Sequence, residues 1–404
     1  MKKLMFAFVG LAFVAAVAQG DSLNCRLVGN CDTPDNAWDV AVSGDFAYVA
    51  DGGSGLRIIN VVNPRSPLEI GFCDTPGYAV GVVVSGDCVY VADSHSGLRI
   101  INVANPQGPY EIGFYDTPGD AYGVAVSGHH VYVADGGFGL RIINVANPQN
   151  PYEEGFGVTP NVAEGVAVTG DHACVADGDS GLRIINVANP QSPYEAGSCE
   201  TPGHSSGVAV SGDYAYVADE ASGLRIINAA DPQDPYEAGF FDTPGSASDV
   251  AISGDHAYVA DWGSGLRVVN VVNPQSPNEA GFYDVPGWAY GVAVSGSHAY
   301  VANGSGGLRI IEFFGAGIEE RANDEERRTG VVPTVVRGAL ELEVGSRQLT
   351  AYRAELLDIT GRKVLDLQPG ASDVSRLAPG VYFIPGRSAV SGQRSATTKV
   401  VIQR

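Results

Sequence analysis

The sequence predicts an all-β chain, a seven-bladed β-propeller followed by a small C-terminal β-sandwich. The tripeptide Gly-Leu-Arg begins at Gly55, Gly97, Gly139, Gly181, Gly223, Gly265 and Gly307, always 42 residues apart. Each period holds four short runs rich in β-branched and aromatic residues, such as GVAVS, AYVAD, LRIIN and YEAGF from Gly207 onward. Between them lie Ser-Gly-Asp, a Gly-containing loop, Asn/Asp-Pro-Gln-x-Pro and Asp-Thr-Pro-Gly. In these turns Gly supplies positive φ, while Pro fixes φ and removes a donor. No helical period is present, and four strands in 40–45 residues is the size of a propeller blade.

The elements follow in order. Met1-Lys2-Lys3, an apolar stretch from Leu4 to Val17 and Ala16-Val17-Ala18 read as a signal peptide, residues 1–18. The stretch is short for a spanning helix, and no later segment is long and apolar enough to be one. The propeller is expected over residues 23–314. Its first strand, Cys25 to Cys31, matches the fourth strand of a blade, and the last repeat stops after three strands at Ile311-Glu312-Phe313. Three strands from the end and one from the start then complete the seventh blade, a 3+1 closure. Residues 315–330 (GAGIEERANDEERRTG) read as a polar linker. In residues 331–404 the runs GALELEV, AELLDI, KVLDL, GVYFI and TKVVI suggest a β-sandwich without the 42-residue period.

The net charge is −22, and from Asp21 to Gly315 there are 35 acids, 9 bases and no lysine. Such a surface repels phosphate backbones and anionic membranes, so nucleic acid is not an expected partner. The six cysteines do not form a disulfide framework. Cys31, Cys73 and Cys199 fall on different repeats; a local Cys25–Cys31 pair is one reading, and burial as small hydrophobes the other.

Candidate chemistry was sought among reactive side chains. Gly203-His204-Ser205-Ser206-Gly207 matches G-x-S-x-G, but it enters a strand, whereas a nucleophile elbow leads into a helix. His130, His172, His256 and His298 share one repeat position, so they lie on blades roughly 10 Å or more apart. Zinc ligands sit at about 2 Å, so these histidines are read as exposed turn residues. Asp51, Asp93, Asp135, Asp177, Asp219 and Asp261, with Asn303 in the seventh copy, end the second strand. They are expected to accept hydrogen bonds from the Gly-rich loop that follows, with metal binding as the sharper alternative. The repeated arginines, Arg57 to Arg309, are expected to pair with acids of the same blade. Glu164, Asp120 and His204 are the acid–base candidates; they lie on different blades, and no pairing between them is expected. No cofactor is implied.

Positions that vary among copies are free of the blade's packing demands. Two precede the first strand: Asn36, Tyr78, Asp120, Val162, His204, Ser246, Trp288, and Trp38, Val80, Tyr122, Glu164, Ser206, Ser248, Tyr290. A third is the loop after the second strand, which holds Phe138 in one blade and Trp262 in another. In an antiparallel blade all three lie at one end. Trp38, Trp262 and Trp288, the only tryptophans of the chain, therefore share a face on consecutive blades, with Tyr290, Tyr78 and Tyr122 extending the arc. Exposed aromatics gathered in this way suggest a contact surface for a glycan or a protein. Wedging between blades as packing is the bland alternative.

The segments YVADGGSGLRIINVVNP (Tyr48 to Pro64) and YVADSHSGLRIINVANP (Tyr90 to Pro106) resemble the LVIVD-repeat family and, more distantly, YVTN-type propellers. The resemblance covers residues 23 to 314 and implies a surface or secreted binding module without a shared catalytic motif. The tail has LDITGRKV from Leu357, LAPGVYF from Leu377 and Lys399-Val400-Val401, and resembles the type IX secretion C-terminal sorting domain. Asp358, Gly361, Arg362, Gly380, Tyr382 and Lys399 carry the match. It implies export to the periplasm, passage across the outer membrane, and surface attachment or release. Pro385 departs from the pattern and is expected to end its strand early. The expected function is thus a secreted or cell-surface binding or scaffold module, adhesin-like. A propeller-face lyase or hydrolase acting on an extracellular polymer, or a purely structural surface component, is the alternative.

Overall fold

A computed structural model describes residues 22–315 continuously, and beyond them seven strands between residues 335 and 402. The expected signal peptide and nearly all of the expected linker lie outside the described residues. Among the described residues there is no helix, and so none long and apolar enough to cross a membrane.

Residues 22–315 form seven antiparallel sheets, each a blade built on four neighbouring strands. Blade one comprises Asp39–Ser43, Phe46–Ala50, Leu56–Asn60 and Leu68–Cys73, and blades two to six repeat this pattern. Blade seven takes Gly291–Ser295, His298–Ala302 and Leu308–Phe313 from the last repeat, with Cys25–Cys31 paired outside them. The ring therefore closes in the 3+1 manner. Ser22–Leu23 adds a fifth, outermost strand to blade six, so the start of the chain clasps two neighbouring blades.

The sequence of the second and third strands explains the stacking. Successive side chains point to opposite faces of a strand, and here both faces meet another blade. In blade one Ala47, Val49 and Ile59 pack toward Tyr300, Leu308 and Ile310 of blade seven. Tyr48, Ala50, Leu56 and Ile58 pack toward Val89, Val91 and Ile101 of blade two. An apolar run without polar alternation is what burial of both faces requires. The first strands form the inner ring, and the fourth strands the rim. Each fourth strand carries a bulge before a glycine, as between Glu111 and Gly113. All six cysteines are free thiols; Cys25 and Cys174 are buried, and the other four are half-buried.

The unit from residue 320 onward has its own pairings. Val335–Val336, Arg394–Ile402, Gly380–Arg387, Ala354–Leu357 and Lys363–Leu367 make one sheet in that order, and Ala339–Leu342 pairs with Gly370–Asp373. Gly380, Tyr382 and Lys399 lie on these strands, whereas Asp358, Gly361 and Arg362 fall outside the described residues. Pro385 does not end its strand. Pairing with Arg394–Ile402 resumes at Gly386 after a register shift, and a bulge is where a strand tolerates a residue without N–H.

Candidate functional site

One end of the ring carries the loops between second and third strands and the segments approaching each first strand. These are stitched together across blades. The loop of one blade exchanges two backbone hydrogen bonds with the approach of the next: Gly52 with Ala79, Trp262 with Ala289, and Gly304 with Ala37. The stitch is what assembles the aromatic residues. Pairing Trp262 with Ala289 sets it beside both neighbours of that alanine, Trp288 and Tyr290, and pairing Gly304 with Ala37 brings Trp38 to blade seven.

Five rings form one continuous cluster. Trp38 stacks on Tyr290 with centroids 4.4 Å apart and planes at 27°. Trp38 also meets Tyr78 edge-on at 6.0 Å, and its indole Nε1 donates to the Tyr78 hydroxyl at 3.2 Å. Trp262 and Trp288 lie 6.4 Å apart at 24°, and Tyr290 stands steeply to both, at 6.1 Å from Trp262 and 6.2 Å from Trp288. Trp38, Tyr78 and Tyr290 are half-buried, whereas Trp288 is 58% and Trp262 40% exposed. Tyr122 makes no ring contact with the five; it lies near Asp120 and Glu164, whose charges reinforce the upward shift that burial gives its hydroxyl pKa. Trp262 has φ +44°, a left-handed conformation that Gly52, Gly136, Gly178 and Gly304, and also Ser94 and Glu220, take at the same repeat position. A bulky residue held there is strained by roughly 1–2 kcal/mol.

Across the ring the expectation for the acid–base candidates is corrected. His204 and Glu164 do pair: Nε2 lies 2.9 Å from the Glu164 carboxylate, and Nδ1 lies 2.8 Å from that of Asp179. The contact follows from a geometric rule that the repeat hides. The residue just before the first strand of one blade touches the residue 40 positions later, on the next blade, as Trp38 touches Tyr78 and Glu164 touches His204. Asp120 stays outside this cluster. Burial alone would lower the His204 pKa, but its hydrogen bonds to Glu164 and Asp179 and the charges of Glu164 and Glu220 raise it to about 9. An imidazolium so held is no proton acceptor at neutral pH.

This gives a pH prediction. The folded pKa of His204 exceeds the ordinary histidine value of 6.5, so its contribution to stability is full below 6.5 and lost as pH rises through about 9. Raising pH through that window should lower the thermal midpoint, and His204→Gln should flatten that part of the profile. A midpoint in the parent chain that is level or rising across the window would contradict the assignment.

The repeated aspartates are structural, and their partners differ from those expected. Asp93 is fully buried; it accepts from the Thr75 hydroxyl at 2.6 Å and from Gly77 N–H at 2.8 Å, both upstream in the approach loop. In blades one to six the approach-loop N–H to carboxylate bond is present each time. The Gly-rich loop that follows closes instead through backbone bonds, such as Asp51 N–H to Gly55 carbonyl. Burial raises the pKa of Asp51, Asp93, Asp135, Asp177 and Asp261, partly offset by the threonine and the approach-loop N–H beside each carboxylate. Among the described residues no cluster of three metal-ligating side chains occurs. Arg57 reaches Asp51, Glu69 and Asp74 of its own blade. Ser205 is fully buried, and its hydroxyl donates to Asp219. The histidines of the second strands are half-buried strand residues, not exposed turns; His130 meets Glu154 at 2.8 Å and His256 packs against Phe313.

Two acids went unnoticed in the sequence. Asp39 and Asp249 begin the first strands of blades one and six, where the other five copies have glycine. Asp39 accepts from Val40 N–H and, across the blade boundary, from Val82 N–H at 2.8 Å; Asp249 accepts likewise from Val292 N–H at 2.8 Å. Desolvation raises both carboxyls, and the Asp249 charge raises Asp39 further. Substitution of a repeat glycine next to Trp38 was the available signal.

Similarity to known proteins agrees with this architecture. Solved structures with the same fold include the β-propeller domain of Myceliophteria thermophila Cps50 (Swd1), at 13% identity and TM-score 0.59, covering 72% of this chain and all of that one. The RRP9 WD40 repeats match at 12% identity and TM-score 0.58, covering 73% and 99%. A computationally designed protein, Ika8, matches at 6% identity and TM-score 0.53, covering 74% and 100%. No curated protein matches the sequence. The family model described as LVIVD repeat matches residues 34–75, 76–117, 118–157, 161–201, 202–243, 244–285 and 286–312. These seven matches fill more than half of the chain and coincide with the ring just described, so the chain belongs to the LVIVD repeat family.

Proposed function

We propose that this propeller is a non-catalytic binding module, exported and displayed at or beyond the cell surface, whose ligand sits on the aromatic cluster at the junction of blades six, seven and one. The observation that carries the reading is Trp262. It is the one aromatic residue in a left-handed backbone position that four sister repeats fill with glycine and two with Ser94 and Glu220, and it leaves 40% of its surface in water beside the more exposed Trp288. The blade turn requires the left-handed backbone in all seven copies but not a large exposed ring on it, because the equivalent positions of other blades are small or polar. Strain and exposed aromatic area are retained where contact with a partner offsets them. Trp38 and Tyr290, stacked and half-buried, form the floor that holds the outer rings in place.

Export rests on the basic and apolar start of the sequence and on the sorting-domain motif near Leu357, Gly380 and Lys399. We read the two sheets of the tail as the two layers of that sandwich. Cell fractionation with and without residues 331–404 tests this part; a truncated chain that still reaches the surface contradicts it. The binding part is tested on protein and glycan arrays with the full chain and its Trp262→Ala/Trp288→Ala variant. The variant should lose at least tenfold in affinity with little change in thermal midpoint. Unchanged binding with a lowered midpoint would assign the rings to packing instead.

A further inference from the structure

We infer that Trp262, Trp288 and Tyr290 form a cradle for a delocalised cation, the guanidinium of an arginine presented by a basic polypeptide partner. The inference rests on the binding reading above and names the chemistry of its ligand.

The three centroids are 6.4, 6.1 and 6.2 Å apart, an almost equilateral triangle. Two of the rings are close to parallel, at 24°, and the third stands at 68° and 88° to them. They make two walls and an end, not one flat platform. A planar ring that stacks on a sugar needs a single exposed face. Three rings turned toward one another place three negative π faces or hydroxyl-bearing edges around one small volume. A group seated just above this triangle is within about 6 Å of all three centroids, the range over which a cation is attracted by aromatic rings.

From Asp21 to Gly315 the bases number nine, all arginine. The seven repeat arginines are held by acids of their own blades, from Arg57 with Asp51 to Arg309 with Asp32. Arg26 pairs with Glu312, and Arg65 lies in a third-to-fourth-strand loop at the opposite end of the ring. No arginine of residues 22–315 thus competes for the cradle from its own face. The surrounding field, of net charge −26 over this region, draws cations toward it. Burial of the cation among rings recovers attraction that water would otherwise screen. The same pairing is already used inside the blades, where Arg57, Arg99, Arg225 and Arg267 sit 4.5–4.7 Å from the centroids of Phe72, Phe114, Phe240 and Phe282.

All three tryptophans of the chain lie in this cluster, so tryptophan emission, excited beyond the tyrosine band, reports on it alone. The full chain is titrated with a Gly-Arg repeat peptide and with the same peptide carrying citrulline, the neutral isostere of arginine. The arginine peptide should change the fluorescence saturably, more weakly as salt is raised, and the citrulline peptide should bind at least tenfold less well. Trp288→Leu, which keeps apolar bulk but removes the π face, should lose most of that discrimination, with the thermal midpoint confirming its fold. Equal binding of the two peptides, or full discrimination by Trp288→Leu, would overturn the cradle. Should neither peptide bind while a neutral oligosaccharide does, the cation inference falls and the binding reading stands. If no ligand moves the fluorescence, both fall.

Discussion

Asp219→Ala is expected to destabilise the propeller by about 4 kcal/mol, the largest loss from any single polar side chain in the ring. The carboxylate is fully buried and accepts three hydrogen bonds: from the Thr201 hydroxyl at 2.6 Å, the Ser205 hydroxyl at 2.8 Å and Gly203 N–H at 2.8 Å. Its Oδ2 is also 3.8 Å from Nε of Arg225. Alanine leaves Gly203 N–H without this acceptor and the Thr201 and Ser205 hydroxyls with only each other, at a fully buried position, and an unmet buried donor costs more than a made bond gains. The effect should extend to the ligand face, because the pinned loop carries His204. Asp219→Asn keeps one acceptor oxygen and should cost about half as much. Blade seven supplies the compensated pair: Val285 replaces the threonine, Asn303 replaces the aspartate, and its amide donates to the Pro286 carbonyl at 2.7 Å. Thr201→Val combined with Asp219→Asn should therefore cost about 1 kcal/mol less than the sum of the two single changes. Denaturant unfolding of the four proteins measures the cycle; strict additivity, or a loss below about 1.5 kcal/mol for Asp219→Ala, would refute the pin.

Blade seven thereby differs where the proposed function needs it to. Its approach loop, which carries Trp288, lacks the threonine–aspartate bond, and Gly287 within it has φ +110°. A loop held by one fewer bond than those of blades one, two, five and six is freer to adjust around a bound group, and in blade seven that loop carries the most exposed tryptophan.

The ring itself was legible because its signals are local and repeated. A period of 42 without insertions fixes blade size, and the leftover strand at Cys25–Cys31 fixes the closure. Column-by-column variation was enough to pick out Trp38, Trp262, Trp288, Tyr290 and Tyr78. What escaped was contact between columns. Reading each column separately shows that His204 and Glu164 vary, but not that one reaches the other across 40 residues. Tyr122 was placed in the arc because it shares a column with Trp38. Val80 holds the inner position of the blade between them, and Val162 the position 40 residues after Tyr122, so no ring bridges to it. The aspartate pins were assigned to the loop that follows because turn chemistry is usually local. Their real partners lie 16 and 18 residues upstream, on the far side of two strands. A repeat conceals such pairs, since every copy offers the same residues at every distance.

Gly113→Ala is expected to be nearly as costly, for a steric reason, and its companion at the closure links packing to the ligand face. Gly113 follows the bulge of a rim strand in blade two, and a Cβ added there would land on the carbonyl oxygen of Pro148 in blade three. The obstacle is backbone on both sides, so no rotamer change relieves it, and the two blades must part. Overpacking of this kind costs about 3 kcal/mol, or roughly 6 °C in thermal midpoint for a domain of this size. Gly86→Ala is the control: nothing lies within 4 Å of its added carbon, and the penalty is confined to its φ of +58°, about 1 kcal/mol. Gly281→Ala makes the same change at the seam of blades six and seven, where the Cβ meets the Leu23 carbonyl at 2.6 Å and the Phe313 ring at 3.0 Å. That seam sets the separation of Trp262 from Trp288, so Gly281→Ala should shift tryptophan emission as well as stability, whereas Gly113→Ala should lower stability and leave the emission of the folded protein unchanged. Equal spectra for both variants would mean that the spacing of the outer rings is set by their loops and not by the distance between blades.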